Sequence, residues 1–287
     1  MEAFVIHRRI LAVGLVLICG VVARAETHII VADHENKTVI KIKEDGTLLW
    51  SARNDNGHDV QLLPNGNLLI VCGPVVQEID KDKKVVHEIG KPTIQSAESA
   101  QRLPNGHTVV ADNGKHQVLE LDEKDQIIWT FDVPNDNKRP TPTMRQVRRL
   151  DNGDTLICAS TEDKVMEVSP DKKVVWSYDL PFPYLATRLP NGNTIISSGD
   201  GYGSKQGFFV IEVDKDGKTV WKYGGADAPD DQKLNWPSGF LRLPNGDTLI
   251  SEAHAGQLRE VSADKKTVKI IKSPAMKHPC TLVVVDE

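Results

Sequence analysis

One ten-residue phrase recurs five times along the chain and constrains the fold more than any other feature. It reads QLLPNGNLLI (61–70), QRLPNGHTVV (101–110), RRLDNGDTLI (148–157), TRLPNGNTII (187–196) and LRLPNGDTLI (241–250). The turn asparagines Asn65, Asn105, Asn152, Asn191 and Asn245 are spaced by 40, 47, 39 and 54 residues. A second phrase follows each copy: VQEIDKDKKVVHEI (76–89), VLELDEKDQIIWTF (118–131), VMEVSPDKKVVWSY (165–178), VIEVDKDGKTVWKY (210–223) and LREVSADKKTVKII (258–271). A sixth copy of the second phrase, VIKIKEDGTLLWSA, covers 39–52. Asn-Gly between apolar runs is a hairpin signal, because glycine takes φ > 0 without steric cost and the preceding proline presets the first corner. Each unit therefore gives four short strands around two turns. Six such units predict an all-β chain folded as a six-bladed β-propeller.

The two ends complete the count. HIIVAD (28–33) matches the second half of the first phrase, and HPCTLVVV (278–285) aligns with HDVQLLPN (58–65), its first half. The last strand is expected to pair with the N-terminal partial blade, which closes the ring and hides two edges.

Residues 1–25 read as a signal peptide. His7, Arg8 and Arg9 precede an apolar stretch (10–22), and Ala23-Arg24-Ala25 fits the small-x-small cleavage rule. Cleavage near Ala25 leaves one propeller domain, 26–287, exported to the periplasm or beyond the cell. No helix-length apolar block follows residue 23, so no membrane span is expected in the mature chain. The net charge of −5 gives no basic footprint for nucleic acid. Cys72, Cys158 and Cys280 remain, an odd number, each in an apolar run. They are expected to be buried and unpaired. The chain reads as a monomer.

The second phrase is fullest at Asp214-Lys215-Asp216-Gly217-Lys218-Thr219-Val220-Trp221, and Gly46 to Trp50 repeats the Gly-to-Trp spacing. It resembles the tryptophan-docking repeat of quinoprotein-like (PQQ-like) propellers. That resemblance implies that Trp50, Trp129, Trp176 and Trp221 wedge between blades, with His87 and Lys269 departing from the pattern. The first phrase, as His-Asp-x-x-x-Leu-Pro-Asn-Gly-Asn at 58–67, also resembles repeats of arylsulfotransferase-type propellers. This second resemblance implies a transient sulfo-histidine flanked by histidine and arginine. His58 or His278 with Arg145 supplies those residue types.

The repeat acts as its own control: a position alike in every blade is scaffold, and one that differs is free to build a site. Arg102, Arg149, Arg188 and Arg242 stand three residues before the turn asparagine and are expected to pair with blade acids. Seven residues before it stand His58, Glu98, Arg145, Tyr184 and Ser238, and His278 when Val285 is counted as the asparagine equivalent. This polar ring is expected to face the central channel, where it suits an anion, a metal or proton transfer. Asp59 is placed to orient His58. Trp236 and His254, on irregular connections, are placed to close over the same mouth, because the longer loops (134–144, 198–207, 224–238) lie on that face.

No GxSxG elbow, P-loop, HExxH, CxxC or dinucleotide fingerprint is present. The reading is an exported propeller that binds a small molecule, glycan or protein at its loop-rich face. The alternatives are an arylsulfotransferase-like enzyme using a channel histidine, or a metal-dependent lactonase-type hydrolase. The lactonase would draw on Glu98, with Asp33, Asp112, Asp200 and Glu252 nearby. No cofactor is expected. PQQ calls for a longer ring and a quinone pocket, and Ca²⁺ for a fuller carboxylate set.

Overall fold

The computed structural model describes residues 26–135, 142–199 and 205–286. Residues 1–25, read from the sequence as a signal peptide, and Asp200 lie outside them. After Glu26 the chain runs β1 (Thr27–Asp33), β2 (Thr38–Lys43) and β3 (Leu48–Arg53). Blade 2 is β4 (Val60–Leu62), β5 (Leu68–Cys72), β6 (Val75–Ile79) and β7 (Val85–Ile89). Blade 3 is β8 (Ala97–Arg102), β9 (Thr108–Asp112), β10 (Gln117–Leu121) and β11 (Ile127–Asp132). Blade 4 is β12 (Gln146–Arg149), β13 (Thr155–Ala159), β14 (Lys164–Val168) and β15 (Val174–Asp179). Blade 5 is β16 (Pro183–Arg188), β17 (Thr194–Ser198), β18 (Phe209–Val213) and β19 (Thr219–Gly224). Blade 6 is β20 (Pro237–Arg242), β21 (Thr248–Glu252), β22 (Gln257–Val261) and β23 (Thr267–Lys272). The last strand, β24 (Pro279–Asp286), pairs antiparallel with β1 and completes blade 1 as β24-β1-β2-β3. The expected six-bladed ring and its closure by the termini are both present.

The turns explain why these strands form. In the first phrase Gly66 donates its N–H to the Leu63 carbonyl at 2.9 Å, and Leu63 donates its own N–H to the Asn67 carbonyl at 2.8 Å. Pro64 and Asn65 occupy the corners and Gly66 sits at φ +84°, as a type I turn followed by a left-handed residue requires. The second strands β5, β9, β13, β17 and β21 are buried throughout, because each sheet packs on both faces against neighbouring blades.

The repeated polar residues lock blade to blade. Arg149, Arg188 and Arg242 each bind a glutamate of the preceding blade, Glu120 (2.7 Å), Glu167 and Glu212 (2.8 Å). Arg102 faces Glu78 at 3.8 Å. The first three guanidinium groups also lie over Trp129, Trp176 and Trp221 at 5.4, 5.2 and 5.3 Å. Each of those indole N–H groups donates to a turn carbonyl of the next blade, at Pro170, Lys215 and Ala263. The arginines and tryptophans are therefore scaffold, as the repeat implied. His87 does the same work in its slot by reaching Asp125 at 3.2 Å, and Lys269 by reaching Glu44 at 3.5 Å.

The innermost strands β4, β8, β12, β16, β20 and β24 contact one another in sequence around the axis. Side chains bridge them. The Asp59 carboxylate accepts from Ala100 N–H (3.1 Å), the Ser99 hydroxyl from Val147 N–H (3.3 Å), Gln146 from Ala186 N–H (2.8 Å) and Thr281 from Val60 N–H (2.9 Å). Cys72, Cys158 and Cys280 are buried and free.

Candidate functional site

Strand register identifies which side chains share the axial ring. Ala97 pairs with Asp112 and Ser99 with Ala111, so Glu98 is the extra residue of a β-bulge. Tyr184 and Ser238 are the extra residues at the same place in blades 5 and 6. A bulge re-aims its side chain, and here the position faces the axis. In blade 1, Pro279 pairs with Asp33 and Leu282 with Val31. Matching that register to Ala97–Asp112 and Ala100–Val110 puts Cys280, not His278, at the sixth ring position. The expected alignment was off by two residues, because β24 ends without a turn asparagine to count from. His278 stands one tier higher, at the mouth.

The ring residues meet across the axis. The Tyr184 hydroxyl lies 3.2 Å from His58 Nδ1, and the Cys280 thiol 3.6 Å from the same nitrogen. His58 Nε2 faces Glu98 Oε1 at 3.9 Å, and Arg145 donates to that oxygen at 2.6 Å. Arg145 also stacks over the Tyr184 ring at 4.9 Å. The result is a relay of side chains, with Tyr184 and Cys280 at Nδ1 of His58, Glu98 facing its Nε2, and Arg145 holding Glu98. Burial drives His58 well below the ordinary imidazole range, reinforced by Arg145 and by His34 and His278. Burial likewise raises Glu98 against the pull of Arg145, raises Tyr184, and pushes the Cys280 thiol to about 12.

Above the relay lies a cup of rings. His34 stacks on His58 with centroids 4.2 Å apart and planes 20° apart. His278 meets His34 edge-on at 5.5 Å, and His254 meets His278 at 5.7 Å. Trp236 adjoins His254 at 4.9 Å, Phe208 at 5.8 Å and Tyr184 at 6.2 Å. Trp236 and Phe182 hold φ of +61° and +46°, each just before a proline that opens an inner strand. Bulky side chains rarely adopt that conformation, and here it places both rings at the mouth. His34 was not expected at the site. It follows β1, where blade 3 has Asn113, so the blade-by-blade comparison that marked the ring also marks His34 once the loops are aligned.

Two expected members do other work. Asp59 does not orient His58. Its carboxylate binds Arg148 through both guanidinium nitrogens (3.0 and 2.8 Å) and accepts from Ser99 at 2.7 Å. That pair joins blade 4 to blade 2. Ser238 is fully buried and donates to the Pro279 carbonyl of blade 1.

A family model described as outer membrane protein assembly factor BamB, built of PQQ-like repeats, matches residues 114–268. The chain belongs to this BamB family of PQQ-like propellers. A search of curated proteins found no significant match. Among solved structures, a protein of unknown function from Bacteroides caccae is 19% identical over 92% of this chain and 100% of its own, with a TM-score of 0.73. Streptogramin B lyase is 11% identical over 93% and 95%, with a TM-score of 0.61. Apo AztD from Citrobacter koseri is 12% identical over 91% and 98%, with a TM-score of 0.53. These likenesses are of fold.

Membership of a PQQ-like family raises the question of a quinone or Ca²⁺. The residues present do not fit either. The ring side chains bond to one another, and Arg148 is taken by Asp59 and Ser99. The nearby carboxylates hold protein groups: Asp33 accepts from Asn36, Lys277 and His278 N–H, and Asp112 from Gln95, Ser96 and Gly114 N–H. Glu252 binds Arg259 and Gln257. Among the described residues no three of His, Cys, Asp and Glu are placed to hold one metal ion, and no helix is long and apolar enough to cross a membrane.

Proposed function

We propose that this BamB-family propeller is an exported binding protein and that its site is the cup at the loop-rich mouth of the axis. One observation carries this reading. The residues that recur from blade to blade are used up in blade-to-blade bonds, while the residues that differ by blade converge at one end of the axis. The signal segment supports export. A rigid ring under loop-borne side chains is a common way to present a binding surface.

Sulfuryl transfer through His58 finds less support. Burial keeps His58 neutral, as a nucleophile requires, but Tyr184 and Cys280 flank Nδ1 and Glu98 faces Nε2. Nδ1 is taken, and an incoming sulfuryl group at Nε2 would meet the Glu98 carboxyl 3.9 Å away. A lactonase-type hydrolase would need the carboxylates that Arg145, Arg259 and backbone N–H groups already hold.

The test is a screen of small polar metabolites, glycans and peptides against the mature chain, read by quenching of tryptophan fluorescence. Hits are expected to bind about tenfold or more weakly to His254→Ala and His34→Ala variants of unchanged melting temperature. Binding that both substitutions leave unaltered would exclude the mouth as the site. The same protein recovered from the exported fraction is expected to begin at Glu26.

A further inference from the structure

The cup gathers one arginine and four imidazoles, and its carboxylates are held by other groups. Arg145 is buried, with 9% of its side chain exposed. Its Nη1 binds Glu98, while its buried Nε has no hydrogen-bond partner among the described residues. Four imidazoles, His34, His58, His254 and His278, form a chain of ring contacts from 4.2 to 5.7 Å, and Arg145 acts on two of them, His58 and His278. Two carboxylates face the group, and both are engaged. Glu98 is held by Arg145, and Asp33 accepts the Lys277 and His278 N–H groups at 2.6 and 2.9 Å. Tyr184 and Cys280 keep their protons, since burial raises both.

The imidazoles are coupled. His34 Nδ1 lies 2.6 Å from the Asn56 carbonyl, which can only accept, so Nδ1 carries the proton and neutral His34 has its lone pair on Nε2. Protonating one ring opposes protonating the next, because like charges at this range repel. His278 shows the effect: burial, then His34 and His254, bring its pKa to about 4. An anion seated among the rings would turn that repulsion into attraction and supply acceptors for the new N–H groups.

We propose that the cup binds a small oxyanion and takes up protons onto its histidine cluster as it does so. This rests on the reading of the mouth as the binding site and adds the chemistry of the ligand. The step balances as protein, anion and buffer acid giving an imidazolium–anion pair and the buffer's conjugate base: an N–H bond forms as the buffer's bond to that proton breaks. A transition metal would act in reverse, since it needs neutral imidazoles and releases protons on binding.

Sulfate is the probe, because it does not itself titrate near neutrality. Calorimetry on the mature chain at pH 5.5 and pH 7.5, in two buffers of different ionisation heat, counts the protons exchanged. We expect sulfate to bind about tenfold or more tightly at the lower pH, with net proton uptake of about one. His278→Asn should lower both. His254→Asn, at an exposed position, should do the same without touching the packing of the ring. Sulfate binding of equal strength at both pH values, or no sulfate binding, overturns the proposal. So does Zn²⁺ binding at the cup with proton release in place of sulfate binding. Neutral or cationic hits that depend on His34 and His254, with no anion bound, would sink the anion proposal and leave the mouth as the site. A mouth indifferent to every compound would sink both.

Discussion

At the residue scale, His278 links the cup to stability. Burial and two neighbouring imidazoles hold its folded pKa at about 4, whereas an unfolded histidine titrates near 6.5. Between those values the unfolded chain binds the extra proton, so stability rises with pH across this window and falls on acidification. His58 is shifted in the same direction. We expect the melting temperature to drop as pH is taken from about 6.5 to about 4, and His278→Asn to flatten the drop. A melting temperature of the parent protein that is constant over that range would contradict the assignment. Much of the site was legible from the repeat: His58, Glu98, Arg145 and Tyr184 were singled out by differing between blades, and they meet across the axis. Cys280 was not, because its strand has no turn asparagine to anchor the count. A slip of two residues keeps the same face and so leaves the apolar pattern intact. Asp59 was misread because sequence adjacency to His58 does not fix a shared direction: just ahead of β4 the Asp59 carboxylate turns to Arg148 and Ser99 while His58 turns to Tyr184.

At the element scale, two departures from the repeat answer each other. Blade 1 carries Lys41 where blades 2 to 6 carry Glu78, Glu120, Glu167, Glu212 and Glu260, and blade 2 carries Leu62 where blades 3 to 6 carry arginine. Lys41 and Leu62 line one cavity of about 180 Å³ beside Trp50. The cation thus comes from the preceding blade at this interface. Leu62→Arg alone would set a second cation beside Lys41, and Lys41→Glu alone would bury a carboxylate with no arginine opposite. We expect each single change to destabilise, and the double change to recover about 1–3 kcal/mol as a coupling energy in urea denaturation. Strictly additive single and double variants would mean that the two positions do not form an interchangeable lock. The hairpins themselves were fully legible, because LPNG turn chemistry is local. At the second turn, by contrast, Lys83, Asp125, Lys172 and Lys265 hold left-handed backbone that Gly46 and Gly217 take freely elsewhere. No local preference announces those four, and the strand pairing around them imposes the conformation.

At the scale of the whole molecule, the ring depends on its last strand. β24 supplies the inner strand of blade 1, touches β4 and β20 on either side, and passes Gly239 so closely that a Cβ there would lie 2.1 Å from the Cys280 carbonyl oxygen. Removing 279–287 would leave β1 with an open edge and cut the circle. We expect the truncated chain to lose its single cooperative melt and to aggregate on size-exclusion chromatography; a monomer with the parent's melting profile would show that closure is dispensable. The number of blades, the strands of each and the closure by the termini follow from the sequence alone, because turn chemistry and period are local and repeat six times. The arginine and tryptophan locks follow for the same reason. Only the tertiary structure decided how the cup is put together. It added His34 and Cys280 to residues the sequence had already placed at this end, and it set contacts such as that between Tyr184 and His58, 126 residues apart in the chain. Such contacts depend on the register and bulges of inner strands set by packing around an axis, which no local run of residues encodes.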